Sequence, residues 1–168
     1  MIPIVLLGKK DDNEIAQALR CVFPRFCGLT DSKNFFWEPE FPFFLLDSVS
    51  PDYLDAGGGI VIFKESFTLE DAPVHLLHAN CIVPGSHQPA CDFVRHSGLP
   101  MITCGGGFQT LNLSCMQEQT FLNLSCGLNT LNGSMIPAGE IPLNLPRHFS
   151  LYPTLCCGAV LLLLGKLN

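Results

Sequence analysis

A chain of 168 residues is about one domain in size and long enough to bury a core of its own. Hydrophobic residues make up 48% and charged residues 14%, which excludes a disordered composition, and 15 Asp+Glu against 9 Lys+Arg give a formal charge of -6. The basic residues are scattered, so binding to nucleic acid or to an anionic membrane surface through bulk charge is not expected.

The first element is a continuous apolar run, Ile2 to Leu7, closed by Gly8, the pattern of a strand buried on both faces. Asp11, Asp12 and Asn13 offer capping oxygens, and Ile15, Ala18, Leu19 and Val22 recur at helical spacing, which predicts a helix over 11–22 in a unit that ends at Cys27-Gly28. The stretch Thr30 to Pro42 holds Phe35, Phe36, Trp37 and Phe41 among prolines without a period, and reads as a loop whose rings pack on the domain or line a pocket. Phe43 to Leu46, ending at Asp47, and Ile60 to Phe63, ending at Lys64, are short buried strands separated by turn residues at Ser50-Pro51-Asp52 and Gly57-Gly58-Gly59. Asn80 to Val83, a helix over Gln88 to His96 with Cys91 and Val94 on one face, and Met101 to Cys104 make a second strand, helix, strand unit.

After Gly107 the period becomes two. Leu111-Asn112-Leu113-Ser114-Cys115 and Leu122-Asn123-Leu124-Ser125-Cys126 alternate apolar and polar residues as antiparallel strands with one buried face do, and their separation fits a hairpin. Asn132-Gly133 is a hairpin turn signal, with Glu140 to Leu145 as the returning strand. Ser150 to Gly165 closes the series as an apolar helix with Pro153 in its first turn, and its apolar run is about half the ~20 residues that a bilayer span requires. The elements add up to a single α/β domain over residues 1–168, with a mainly parallel, Rossmann-like sheet flanked by helices and ending in antiparallel strands and the C-terminal apolar helix.

Nine cysteines are an odd number without a C-x-x-C pair, and several lie in apolar runs, so they read as packing residues of a reduced, cytoplasmic protein. Met1 to Leu7 carries no basic n-region, so export is not expected, and the Asn-x-Ser triplets at Asn112, Asn123 and Asn132 read as chance patterns.

Four places invite a chemical reading. Gly8-Lys9 after the first strand is placed like a phosphate loop, but it lacks the Ser or Thr that would follow, and Asp11 and Asp12 would repel phosphate, so it reads as a turn with helix caps. Gly105, Gly106 and Gly107 form a candidate ligand-binding loop whose N–H groups can point at an anion, with Cys104 before it as the thiol to examine and Asp47 as an acidic strand end; Gly57-Gly58-Gly59 is a weaker nest of the same kind. His75, His78, Cys81, His87, Cys91 and His96 are zinc-ligand types, but they would have to converge from strand and helix, and the reading here is ordinary core and surface residues, with no metal, no cofactor and no catalytic residue assigned.

In the second half, Asn80 to Val83, the helix after it, Met101-Ile102-Thr103-Cys104-Gly105, the alternating strands and then Leu145-Pro146-Arg147-His148 before an apolar helix ending at Gly165 resemble the close of the central, ATP-binding domain of the Mur ligases and folylpolyglutamate synthetases, over residues 79–165. The departures from that family are specific. Gly8-Lys9-Lys10-Asp11-Asp12 stands where its phosphate loop would be, Pro84-Gly85-Ser86-His87-Gln88-Pro89 where its acidic segment would be, and Phe149 where an Asn would follow the His; the family's C-terminal domain has no counterpart. The resemblance therefore implies a non-catalytic scaffold or binding domain that has lost ATP chemistry. The alternative from the residues alone is a small-molecule or nucleotide-binding protein, or an enzyme, that uses Gly105 to Gly107. The apolar fraction and the aromatics from Phe35 to Phe44 suggest a face covered by a second copy or by another protein.

Overall fold

The computed structural model describes residues 2–23, 27–29, 43–48, 51–116, 119–145 and 149–167. In chain order the elements are β1 (Ile2–Leu7), α1 (Glu14–Val22), β2 (Cys27–Leu29), β3 (Phe43–Ser48), β4 (Tyr53–Asp55), β5 (Ile60–Phe63), a 3-10 turn (Leu69–Asp71), β6 (His75–Leu77), β7 (Asn80–Pro84), α2 (Gln88–Ser97), β8 (Met101–Cys104), β9 (Leu111–Met116), β10 (Gln119–Leu124), β11 (Leu128–Asn129), β12 (Met135–Ile136), β13 (Gly139–Pro142) and α3 (Leu151–Leu163). Among the described residues, nine strands form one sheet in the order β13-β10-β9-β8-β7-β5-β1-β3-β2. Pairing is parallel from β2 to β9 and antiparallel for β9 with β10 and β10 with β13.

The continuous apolar runs follow from burial on both faces. Ile4, Leu6, Ile60, Ile62 and Ile82 point to one side, where α1 contributes Ile15, Ala18 and Leu19 and α3 contributes Leu155, Cys156, Ala159, Val160, Leu162 and Leu163. Val5, Leu7, Val61, Phe63, Cys81 and Val83 point to the other, against Ala90, Cys91 and Val94 of α2 and against Leu54 and Leu76 of a small sheet in which β4 and β6 pair in parallel. A strand with only one apolar face would have left one of these layers bare.

Three expectations are corrected. The first helix begins at Glu14, because Asp11 and Asp12 lie in the preceding turn, where the Asp12 N–H donates to the Lys9 carbonyl at 3.2 Å. The Asn132-Gly133 turn joins the short strands β11 and β12, and the returning segment pairs instead with β10, Leu124 opposite Gly139 and Phe121 opposite Pro142. Cys27-Gly28, read as the end of a helical unit, belongs to β2 beside β3. The aromatic loop from Thr30 to Pro42 lies outside the described residues. No helix among the described residues is long and apolar enough to cross a membrane.

Candidate functional site

The sheet order sends the chain in opposite directions from two neighbouring strands: from β1 it runs toward β2 and β3, and from β5 toward β7. In open α/β sheets such a reversal opens a crevice beyond the carboxyl ends of the strands. Here those ends are Leu7-Gly8 and Phe63-Lys64, and they are closely packed. Gly8 has φ +142, and a Cβ on it would lie 2.7 Å from the Lys64 Cβ, so only glycine lets the lysine stem pass beside the turn.

Lys64 is fully buried. Its Nζ donates to Asp47 Oδ1 at 2.7 Å and to the Lys9 carbonyl at 2.9 Å, tying the ends of β3 and β5 to the loop after β1. Beside it the Lys9 N–H donates to Ser66 Oγ at 3.1 Å, and that hydroxyl donates to Asp12 Oδ2 at 2.6 Å. Burial raises the Asp47 carboxyl above its ordinary range, against the opposing pull of the Lys64 hydrogen bond and charge. The groups at this crevice are thus spent on one another.

A cleft opens farther along the same edge, past β5, β7 and β8, with a volume of about 170 Å³. Its polar lining is Glu65, Ser86, Gly105, Gly106 and Gln109, and Pro84, Cys104, Leu151 and Tyr152 supply apolar wall. Of the residues singled out by sequence, it gathers Cys104, Gly105 and Gly106. Gly107 is the next residue of the loop, its carbonyl accepting from Asn112 Nδ2 at 3.3 Å. Asp47 belongs to the Lys64 pair on β3, four strand positions from β8 or about 19 Å at ordinary strand spacing.

The two triple-glycine turns differ in kind. All three N–H groups of Gly57 to Gly59 are engaged internally, by Asp55 Oδ1 and by the carbonyls of His78 and Ala56, so this turn has none to offer an anion. In the second turn the Gly105 N–H donates to the Leu111 carbonyl at 3.1 Å, whereas the Gly106 and Gly107 N–H groups meet no acceptor among the described residues. The cleft floor is chemically quiet. The Tyr152 hydroxyl donates to the Phe63 carbonyl at 2.5 Å, and burial raises the Tyr152 phenol and the Cys104 and Cys156 thiols well above their ordinary values, leaving no thiolate for nucleophilic attack.

Glu65, Ser86, Gln109 and Tyr152 have no signal in the sequence. Gln109 reaches the cleft because its carboxamide lies directly over Gly85, where a Cβ would collide with it, a contact between residues far apart in the chain. The histidines disperse: His75 and His78 lie at the small sheet, with His78 Nδ1 3.1 Å from Asp55, while His87 caps α2 by accepting from the Ala90 N–H at 3.2 Å and His96 sits in its last turn. Among the described residues no three His, Cys, Asp or Glu side chains are grouped to hold a metal ion. Compared with protein-family models and with curated proteins, the chain matches none.

Proposed function

We propose that this chain is a non-catalytic binding domain, Mur-ligase-like and Rossmann-like in build, that has lost ATP chemistry. One observation carries the reading: at the crevice where a phosphate loop would work, the buried Lys64 ammonium is neutralised by Asp47 and capped by the Lys9 carbonyl, while the Lys9 N–H is taken by Ser66. A phosphate arriving there would have to displace a buried ion pair and approach Asp11 and Asp12. Calorimetric titration with ATP and magnesium is expected to give no binding heat up to millimolar nucleotide, and saturable binding in the micromolar range would overturn the reading. The same proposal places the chain in the reducing cytoplasm as part of an assembly with a second copy or another protein. Sedimentation equilibrium at tens of micromolar is expected to give a mass above the 18.4 kDa of one chain, and a monomer would remove the second copy.

A second reading, a small-molecule-binding protein, is favoured by the cleft with its open Gly106 N–H. At about 170 Å³ the cleft falls short of the roughly 300–1,000 Å³ of drug-sized ligand sites, which favours a ligand smaller than a nucleotide.

A further inference from the structure

We infer that the cleft beyond β5, β7 and β8 takes a small organic cation, a short amine with a compact apolar body, held by the Glu65 carboxylate and by the ring of Phe108 on the glycine loop. The inference rests on reading the cleft as a ligand site, and it goes further by assigning the charge of the ligand.

The lining decides the sign. Among the described residues Glu65 is the one charged side chain in it, with no Lys, Arg or His beside it. Among the described residues the Glu65 carboxylate has neither an ion pair nor a hydrogen-bond donor, although the basic side chains Lys64 and Arg95 are spent on Asp47 and Asp92. The carboxylate is exposed at the cleft, yet its charge adds to the effect of burial on Tyr152 and Cys156 beneath it. A carboxylate beside an apolar wall of Pro84, Cys104, Leu151 and Tyr152 suits an ammonium attached to a short hydrocarbon.

The loop that carries Gly105, Gly106 and Gln109 supplies the second observation. Phe108 stands wholly exposed between the lining residues Gly106 and Gln109, on backbone that turns through positive φ at Gly105 and Gly107. An aromatic ring attracts a cation over its face, and a neutral or anionic ligand gains nothing comparable. Ser86 and Gln109 are left to accept the remaining ammonium protons through their oxygens, and the Gly106 N–H serves any acceptor carried by the ligand.

The test uses three isosteric probes, n-butylamine, n-butanol and butanoate, titrated at neutral pH into the full chain while the backbone amides of residues 105–109 are followed by NMR. Saturable shifts with butylamine at millimolar concentration, absent with butanol and butanoate, are expected. Glu65→Gln should weaken amine binding about tenfold or more, as loss of a charge-assisted hydrogen bond does. Phe108→Ala should weaken it about threefold. Both side chains are exposed, so the variants are expected to fold, which their amide spectra report directly. Binding of butanoate in place of butylamine, or equal amine affinity in Glu65→Gln, would overturn the cation while leaving a ligand site. Absence of shifts with all three probes would overturn the cleft reading itself, and neither result touches the ATP titration.

Discussion

At the scale of single residues the most consequential is Lys64. Its stem is buried against Gly8 and its charge is met by one carboxylate and one carbonyl, so removing the ammonium leaves the half-buried Asp47 without its counter-charge. Lys64→Met should lower the unfolding free energy by about 3 kcal/mol in urea titrations, and the double variant with Asp47→Leu should recover part of that loss. A loss unaffected by the second substitution would show that the pair is not coupled. The thiols give a second prediction. Burial lifts Cys81 and Cys157 to about 12 and raises Cys104 and Cys156 well above the ordinary thiol range, whereas Cys115 and Cys126 are exposed. Iodoacetamide on the native protein should therefore label Cys115 and Cys126 first, and peptide mapping that found Cys104 among the first labelled would contradict the neutral floor.

Asp55 gives a third, in pH. The Gly57 N–H first, and then His78, hold its carboxyl below the ordinary range, so the folded state binds this proton less readily than the unfolded chain. The contribution is present above the ordinary Asp value and is lost as pH falls through the depressed folded value. Asp55→Asn should lower stability modestly in the neutral region and leave the acid end little changed, so that the acid limb of a pH–stability profile becomes flatter. Of these residues, the sequence marks Asp47 and Lys64 as strand ends, but nothing in it pairs them, because the pairing depends on β3 and β5 flanking β1 in space.

At the scale of elements, legibility followed burial. β1, β5 and β7 were readable because a strand covered on both faces has a nearly continuous apolar sequence, and the alternation at Leu111 to Cys115 was readable because the antiparallel strands bury one face. β4 and β6 were not, because each inserts a single side chain, Leu54 or Leu76, into the core, and a period needs more than one repeat. The candidate site was legible only as Cys104 and the glycine turn at 105–107; Gln109 follows in the same loop, and the carboxylate and phenol arrive from other parts of the chain. α3 illustrates the limits of propensity. A Cβ on Gly158 would come within 2.6 Å of Leu122 Cδ1 on β10, so the glycine is there to let helix and strand approach. Gly158→Ala gains up to about 1 kcal/mol of helix propensity yet should lower stability by about 1–2 kcal/mol overall, measured by thermal or chemical unfolding, because Leu122 has no room to move. Stabilisation would show that the packing there is looser than described.

At the scale of the whole molecule, the parallel and antiparallel parts of the sheet meet through a single residue pair, Cys104 opposite Leu111. What holds them together is α3, which packs its Leu and Cys side chains with Ile82, Ile102 and Cys104 on the parallel side and with Leu111, Leu122 and Leu124 on the other. The Ser150 N–H at its start donates to Glu14 Oε1 at 3.2 Å, linking α3 to α1 as well. α3 also follows in chain order every strand it covers, and this gives the fold a timetable. During synthesis β9 and β10 leave the ribosome with Leu111, Leu122 and Leu124 still open to water, and their cover is made tens of residues later. The nascent chain is therefore expected to be a client of chaperones that shield apolar surface, and a translational arrest reporter should register the pull of folding only after residue 163 has cleared the exit tunnel.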